Sequence, residues 1–256
     1  MKNIFLTCTL SIILAFAISS CSKNGATGAT GPQGPTGPIS TGTLTGFVTT
    51  YDQYGFKLET SLAGVTVHVS DSTNDSTLTN SAGAYTFSNL KTGVYTLTYS
   101  APGFGTEVAN DYSFLGGGTI VRNQALSIIP SFSLFNITII DTTIATDNGV
   151  LIRGIDTVNG VARTYIVFGN TSSSVSSAPG NYVYTNTGTI KAGAGAWGLF
   201  MTSQELIDAG MAAGSTGYFV VYSYSTGQPT YLDLSTGKTV YTALGAPSAA
   251  FSVSIP

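Results

Sequence analysis

Short stretches in which apolar residues alternate with threonine, serine or tyrosine recur along this chain from Thr43 to Ile255, with glycines between them. A two-residue period sends successive side chains to opposite faces of an extended strand, so each stretch can bury one face as a strand and none as a helix. Leu44, Gly46 and Val48 alternate with Thr45, Phe47 and Thr49, and Val65, Val67 and Val69 alternate with Thr66, His68 and Ser70. Tyr85-Thr86-Phe87 and the run from Val94 to Tyr99 repeat the pattern, punctuated by Gly83, Gly93 and Pro102-Gly103. Short strands spaced in this way close into a sandwich or an open barrel.

The second half carries the same signal. Ser133 to Ile140, Gly149 to Gly154, Thr164 to Phe168, Tyr182 to Tyr184, Trp197 to Met201 and Ala249 to Ile255 read as strands. Tyr218 to Tyr224 is apolar on both faces, as a central strand would be. One helix interrupts them: Thr202 stands three places before Glu205 as a capping box, Leu206 and Ile207 supply apolar contact, and Gly210 stops it. The expected fold is all-β, two consecutive β-sandwiches covering residues 42–130 and 131–256, with Pro130 at the boundary. Thr106 to Ile129 is expected to complete the first with two strands joined at Gly116-Gly117-Gly118.

Composition narrows the chemistry. Charged residues make up 8% of the chain, against roughly 25% in an ordinary soluble protein. The net charge is −3, and without a basic stripe to displace counterions the chain is not expected to bind nucleic acid. One histidine and two cysteines leave no material for a His-rich or Cys-rich metal centre, and no cofactor is expected.

The first 20 residues read as a leader. Lys2 supplies a positive start, and Ile4 to Ile18 is an apolar run broken only by Thr7, Cys8, Thr9 and Ser11. At about 15 residues it falls short of the roughly 20 a spanning helix needs. Ile18-Ser19-Ser20-Cys21 resembles the processing box of bacterial lipoproteins. That resemblance implies cleavage before Cys21, acylation of its sulfur, and a lipid-anchored location in the cell envelope, at the outer membrane. Each buried methylene contributes about 0.8 kcal/mol to such an anchor. Cys21 is also the sole thiol left after cleavage, so no disulfide within the mature chain competes for it.

Residues 21–41 form a tether. Five triplets from Gly25 to Ile39 place glycine at every third position, as the crowded axis of a collagen triple helix requires. Five triplets read as a solvated spacer; a trimerising stalk would need three chains held together. In polyproline II form, residues 22–41 would reach on the order of 60 Å, at about 3.1 Å per residue.

The first sandwich carries a further resemblance. Gly46-Phe47-Val48, Leu62 to Val67, Thr79 to Phe87 with its Asn80-Ser81-Ala82-Gly83 turn, Leu90 to Leu97 and Gly103-Phe104 are similar, in order and spacing, to the carboxypeptidase regulatory-like domain. The resemblance implies a transthyretin-like sandwich and a non-catalytic accessory module. The stretch from Leu206 to Tyr218 resembles, more loosely, the corner before the penultimate strand of immunoglobulin-like and fibronectin type III sandwiches. There a tyrosine hydroxyl bonds back to the preceding loop, a role that would fall to Tyr218.

Chemical motifs are few. Gly193-Ala194-Gly195-Ala196-Trp197-Gly198 has the spacing of a dinucleotide fingerprint but leads into a strand where that motif opens a helix. Ser235-Thr236-Gly237-Lys238-Thr239 has Leu232 where a phosphate loop needs its first glycine, so it reads as a hairpin turn. His68, the lone imidazole, faces solvent by alternation, and no Gly-x-Ser-x-Gly occurs. Asp71, Asn74 and Asp75 read as a polar turn before they read as calcium ligands. No catalytic residue is assigned, and the chain is not expected to be an enzyme. Tyr182, Tyr184 and Trp197 are the candidate ligand-binding residues, Tyr182 and Tyr184 sharing one strand face. The expected function is a membrane-anchored, non-enzymatic scaffold or adhesion module. The alternative is a surface glycan-binding lipoprotein of a nutrient-capture system, so the partners are a membrane and an extracellular glycan or protein.

Overall fold

The computed structural model describes residues 40–59, 62–70, 75–155 and 160–256. The leader, Cys21, the glycine triplets and the Asp71 and Asn74 positions lie outside the described residues. Every described strand belongs to one compact unit, residues 39–256.

Its first sandwich faces two sheets across one core. Strand β1 (Thr41–Tyr51) runs antiparallel to β4 (Ala84–Lys91) on one side. On the other it pairs in parallel, first with β7 (Thr119–Val121) and then with β8 (Gln124–Ser127). The opposing sheet has the order β3 (Asp75–Leu78), β2 (Thr66–Val69), β5 (Gly93–Ser100), β6 (Glu107–Phe114). Beyond Thr106 the chain thus forms three strands, where alternation alone gave two: Arg122 and Asn123 break the run between β7 and β8, and the Arg122 N–H donates to Thr45 O at 2.8 Å.

Alternation decides what this core receives. Leu44, Val48, Val67, Leu97, Tyr99 and Leu126 are fully buried, while Phe47 points outward and is 52% exposed. Each buried aliphatic or aromatic side chain contributes roughly 1.5–3 kcal/mol of transfer free energy. The hydroxyls of Tyr85 and Tyr99 meet at 2.9 Å, and Tyr85 donates onward to Arg122 O at 2.7 Å, so both phenols enter the core with partners. In β4 the period slips at Asn89, which takes a left-handed φ of 59° and lets Leu90 turn back into the core.

The second sandwich packs a three-stranded sheet, β13 (Ala196–Thr202), β10 (Asp147–Ile155) and β9 (Phe135–Ile144), on a five-stranded one. The latter runs β12 (Tyr184–Ile190), β11 (Arg163–Asn170), β14 (Thr216–Tyr224). Then β17 (Leu244–Pro247) and β18 (Phe251–Ser254) share the free edge of β14. Val150, Ile152, Tyr165, Val167, Trp197, Met201, Phe219 and Val221 fill the space between. Leu206 of helix α1 (Ser203–Asp208) closes one end, and the capping box is present: Thr202 Oγ1 accepts from Glu205 N, and Glu205 Oε2 accepts from Thr202 N.

The back of the five-stranded sheet is buried as well. Ile166, Phe168, Val220, Tyr222 and Tyr224 pack there under Tyr182 and under Tyr241 of the hairpin β15 (Thr230–Asp233) and β16 (Lys238–Tyr241). Phe168 sits at the centre, with ring centroids 5.2 Å from Tyr182 and 5.4 Å from Tyr222 and Tyr241 in edge-on geometry. This second layer is why β14 is apolar on both faces.

Candidate functional site

The three aromatic residues singled out from the sequence do not form a platform. Tyr182, Tyr184 and Trp197 are 5%, 8% and 6% exposed, so none offers a ring face to a ligand. Tyr182 belongs to the layer behind the five-stranded sheet, and its hydroxyl donates to Thr239 O. Tyr184 belongs to the sandwich core, where Asn186 Nδ2 donates to its hydroxyl at 3.0 Å. Regular strand geometry starts only at Tyr184, so the two-residue spacing from Tyr182 does not carry it to the same face. Trp197 lies over Gly154 with its ring centroid 4.3 Å from that of Tyr165. Burial raises the pKa of Tyr182 and Tyr184, as expected for phenols withdrawn from water.

Other expectations resolve locally. His68 is exposed on β2. The Ser235–Thr239 segment is the turn of the β15–β16 hairpin, and the Asp233 carboxylate accepts from the backbone and hydroxyls of Ser235 and Thr236, which lowers its pKa. Its donors are thus already engaged. Tyr218 is half-buried, and among the described residues its hydroxyl makes no hydrogen bond. The corner it was expected to hold is tied instead by Gly214 N to Ile255 O and Ile255 N to Ser215 O, both 2.8 Å. Among the described residues no group of three or more His, Cys, Asp or Glu could hold a metal ion, and no helix is long and apolar enough to cross a membrane.

The feature that sequence reasoning missed is the seam between the sandwiches. Glu107, at the start of β6, is 3% exposed and accepts a hydrogen bond from Thr242, in the loop after β16. Burial pushes its carboxyl pKa from 4.5 up to about 7, and the Thr242 hydrogen bond offsets part of that rise. Around this pair Asn110 Nδ2 donates to Leu232 O at 2.7 Å, Ser131 N donates to Gln53 Oε1 at 2.9 Å, and Ser225 Oγ donates to Ile128 O. Gly105 approaches Ala243 so closely that a Cβ there would lie 2.3 Å from Ala243 N. No local pattern announces such a seam, because every pair in it is distant in sequence.

Beside the seam lies a crevice of about 370 Å³ lined by Tyr51, Tyr54, Gly55 and Ala125 of the first sandwich and Thr226, Gly227 and Gln228 of the second. Behind the near wall the Asp52 side chain fixes the turn that carries Tyr54 and Gly55, accepting from Tyr54 N at 2.9 Å and Phe56 N at 2.8 Å. Gly55, at φ 89°, completes that turn and lets the loop come down on Thr226. On the far wall Gln228 Nε2 donates to Thr226 O at 3.1 Å, while Gln228 Oε1 is buried with no hydrogen-bond partner. Tyr51 and Tyr54 are half-buried, and neither hydroxyl hydrogen-bonds to a described residue.

Comparison with known proteins places part of this chain. No curated protein matches it. Among solved structures, a Bacteroides uniformis protein whose name proposes carbohydrate binding is 12% identical, covering 84% of this chain and 99% of its own, with a TM-score of 0.32. A DUF3823 family protein from Parabacteroides merdae is 16% identical over 84% of this chain and 100% of its own, TM-score 0.30. The full-length major pilin SpaD from Corynebacterium diphtheriae is 13% identical over 81% and 65%, TM-score 0.26. Residues 43–127, which are the first sandwich, match the carboxypeptidase regulatory-like domain.

Proposed function

We propose that this chain is a lipid-anchored protein of the cell envelope whose two sandwiches serve, without catalysis, as a scaffold or adhesion module. The observation that carries the reading is the buried seam centred on Glu107 and Thr242, which makes one compact unit of both sandwiches. A unit with so little charged surface chemistry suits holding and presenting better than turnover. The processing box at Ile18 to Cys21 supplies the anchor, and the glycine-proline tether of residues 21–41 supplies the reach. Match of residues 43–127 to an accessory domain supports the non-catalytic role.

Mass spectrometry of the protein from membranes tests the anchor. A diacyl or triacyl mass on an N-terminal Cys21 is expected, and Cys21→Ser is expected to release the chain from the membrane fraction. An unmodified thiol at that position ends the proposal. Protease shaving of intact cells separates outward display from a periplasmic orientation.

A second reading, a surface glycan-binding lipoprotein of a nutrient-capture system, is favoured by the phenols of the crevice beside the seam.

A further inference from the structure

We infer that the outer face of the three-stranded sheet docks a second copy of this chain, face to face, with the two β10 strands antiparallel. In an antiparallel sandwich the side of a sheet turned away from the core is ordinarily polar. Here an apolar row crosses it. Leu151 in the middle of β10 stands opposite Ile140 of β9 and opposite Phe200 of β13. Their chain neighbours Ile139, Val150, Ile152 and Met201 pack into the core, so the row itself faces outward. Ile140 is left 39% exposed, and Ile155, further along the same side of β10, 43%. Contiguous apolar surface of this kind marks an interaction site more often than scattered single residues do.

Charge selects a second copy as the occupant. Asp147 and Arg153 lie three positions on either side of Val150, and alternation turns both outward with Leu151. Arg153 Nε donates to Thr138 Oγ1 at 3.3 Å, and among the described residues neither Asp147 nor Arg153 is in an ion pair. A two-fold axis crossing β10 at Val150 lays the strand antiparallel over its copy. Each Arg153 then meets the Asp147 of the other chain, once at either end. A parallel arrangement would set aspartate on aspartate and arginine on arginine, so the antiparallel one is favoured.

Shape agrees with charge. The same axis sets Leu151 over Gly149 of the other copy, where the Phe200 ring lies flat: a Cβ on Gly149 would come within 2.8 Å of it. It also brings the β9–β10 hairpin, with Ile144 44% exposed, over a hollow of about 360 Å³ between Thr138, Gly154, Ile155 and Ala196. Every contact is reciprocal, as closure into a dimer requires. Three strands about 4.8 Å apart, nine residues long at roughly 3.4 Å each, give a face on the order of 400 Å². That is the low end for a specific interface, so the dimer is a weak one.

Sedimentation velocity on the purified full chain tests this, with Cys21→Ser throughout so that acylation does not drive association. A monomer–dimer equilibrium with a dissociation constant below ~1 mM is expected. Leu151→Lys is expected to abolish it, while Phe47→Lys on the outer face of β1 leaves it unchanged. Asp147→Arg and Arg153→Asp are each expected to weaken it about tenfold, and the two together to restore it. Recovery in the double variant also shows that the single losses are not misfolding. A chain that stays monomeric throughout overturns the proposal. Association that survives Leu151→Lys belongs to another surface and overturns it as well, as does a double exchange that fails to recover.

Discussion

The Thr242 hydroxyl reaches two acceptors, Glu107 Oε1 across the seam and Pro229 O at 3.1 Å. One hydroxyl hydrogen serves one of them at a time, so Glu107 shares this donor with a backbone carbonyl. Burial is what favours the neutral carboxyl, pushing its pKa up to about 7 against the Thr242 hydrogen bond, which lowers it. Tyr224 and Tyr231 lie near Glu107: burial raises the pKa of both phenols, and the charge of Glu107 adds to that rise.

The pH dependence follows with a definite sign. Below about 4.5, the ordinary value, Glu107 is protonated whether the chain is folded or not. As pH rises toward 7 the unfolded chain releases that proton and the folded chain keeps it, so stability falls and the loss is complete above 7. The contribution is at most about 3 kcal/mol. The thermal midpoint is expected to be lower at pH 8 than at pH 5, and Glu107→Gln to flatten most of that slope. Calorimetry of both proteins across this range is the check; an equal slope in Glu107→Gln would refute the assignment.

Gly46 marks where β1 passes beneath the link between β7 and β8. A Cβ there would stand 1.7 Å from Arg122 O, a backbone atom with no room to retreat. Gly46→Ala is expected to cost about 3 kcal/mol or more, whereas Gly198→Ala, whose nearest contact would be 3.5 Å, is expected to stay within about 1 kcal/mol. Urea denaturation of the two variants compares them directly.

Phe168 is the hub of the aromatic layer behind the five-stranded sheet and is fully buried. Phe168→Ala is expected to destabilise by roughly 3–5 kcal/mol. Phe47→Ala, at a ring 52% exposed, should fall within about 1 kcal/mol. Equal midpoints for the two would contradict the layer described.

The cap on α1 has a smaller effect. Thr202→Ala removes the acceptor for Glu205 N and is expected to cost about 1 kcal/mol, while Thr202→Ser retains most of it. Thermal melts of the pair give the difference.

Local physics was legible in the sequence and tertiary pairing was not. The alternation of β1 and β2, the exposure of His68 and the Thr202–Glu205 box are set by neighbours within four residues, and each is present. The continuous apolar run of β14 also read correctly, yet its cause did not: the second layer comes from Tyr182 and Tyr241, remote segments of no special pattern. Spacing put Tyr182 and Tyr184 together because it assumed a strand that starts two residues later. The crevice was invisible for a plainer reason, since Tyr54 and Gln228 are 174 positions apart and only the fold sets them face to face.

The parallel pairing of β1 with β8 has a mechanical consequence. The chain enters at the beginning of β1 and leaves for the distal sandwich after the end of β8, so the two attachment points sit at opposite ends of one parallel ladder. Tension applied between the N-terminal side of β1 and the distal sandwich would pull these strands lengthwise past each other, straining the Val48–Gln124 to Tyr51–Ser127 rungs together instead of peeling them one by one. Optical-tweezer extension from both termini should then give a higher rupture force for the first sandwich than the same handles give when one is moved to the β4–β5 turn. A ladder of this kind resists lengthwise tension through topology alone.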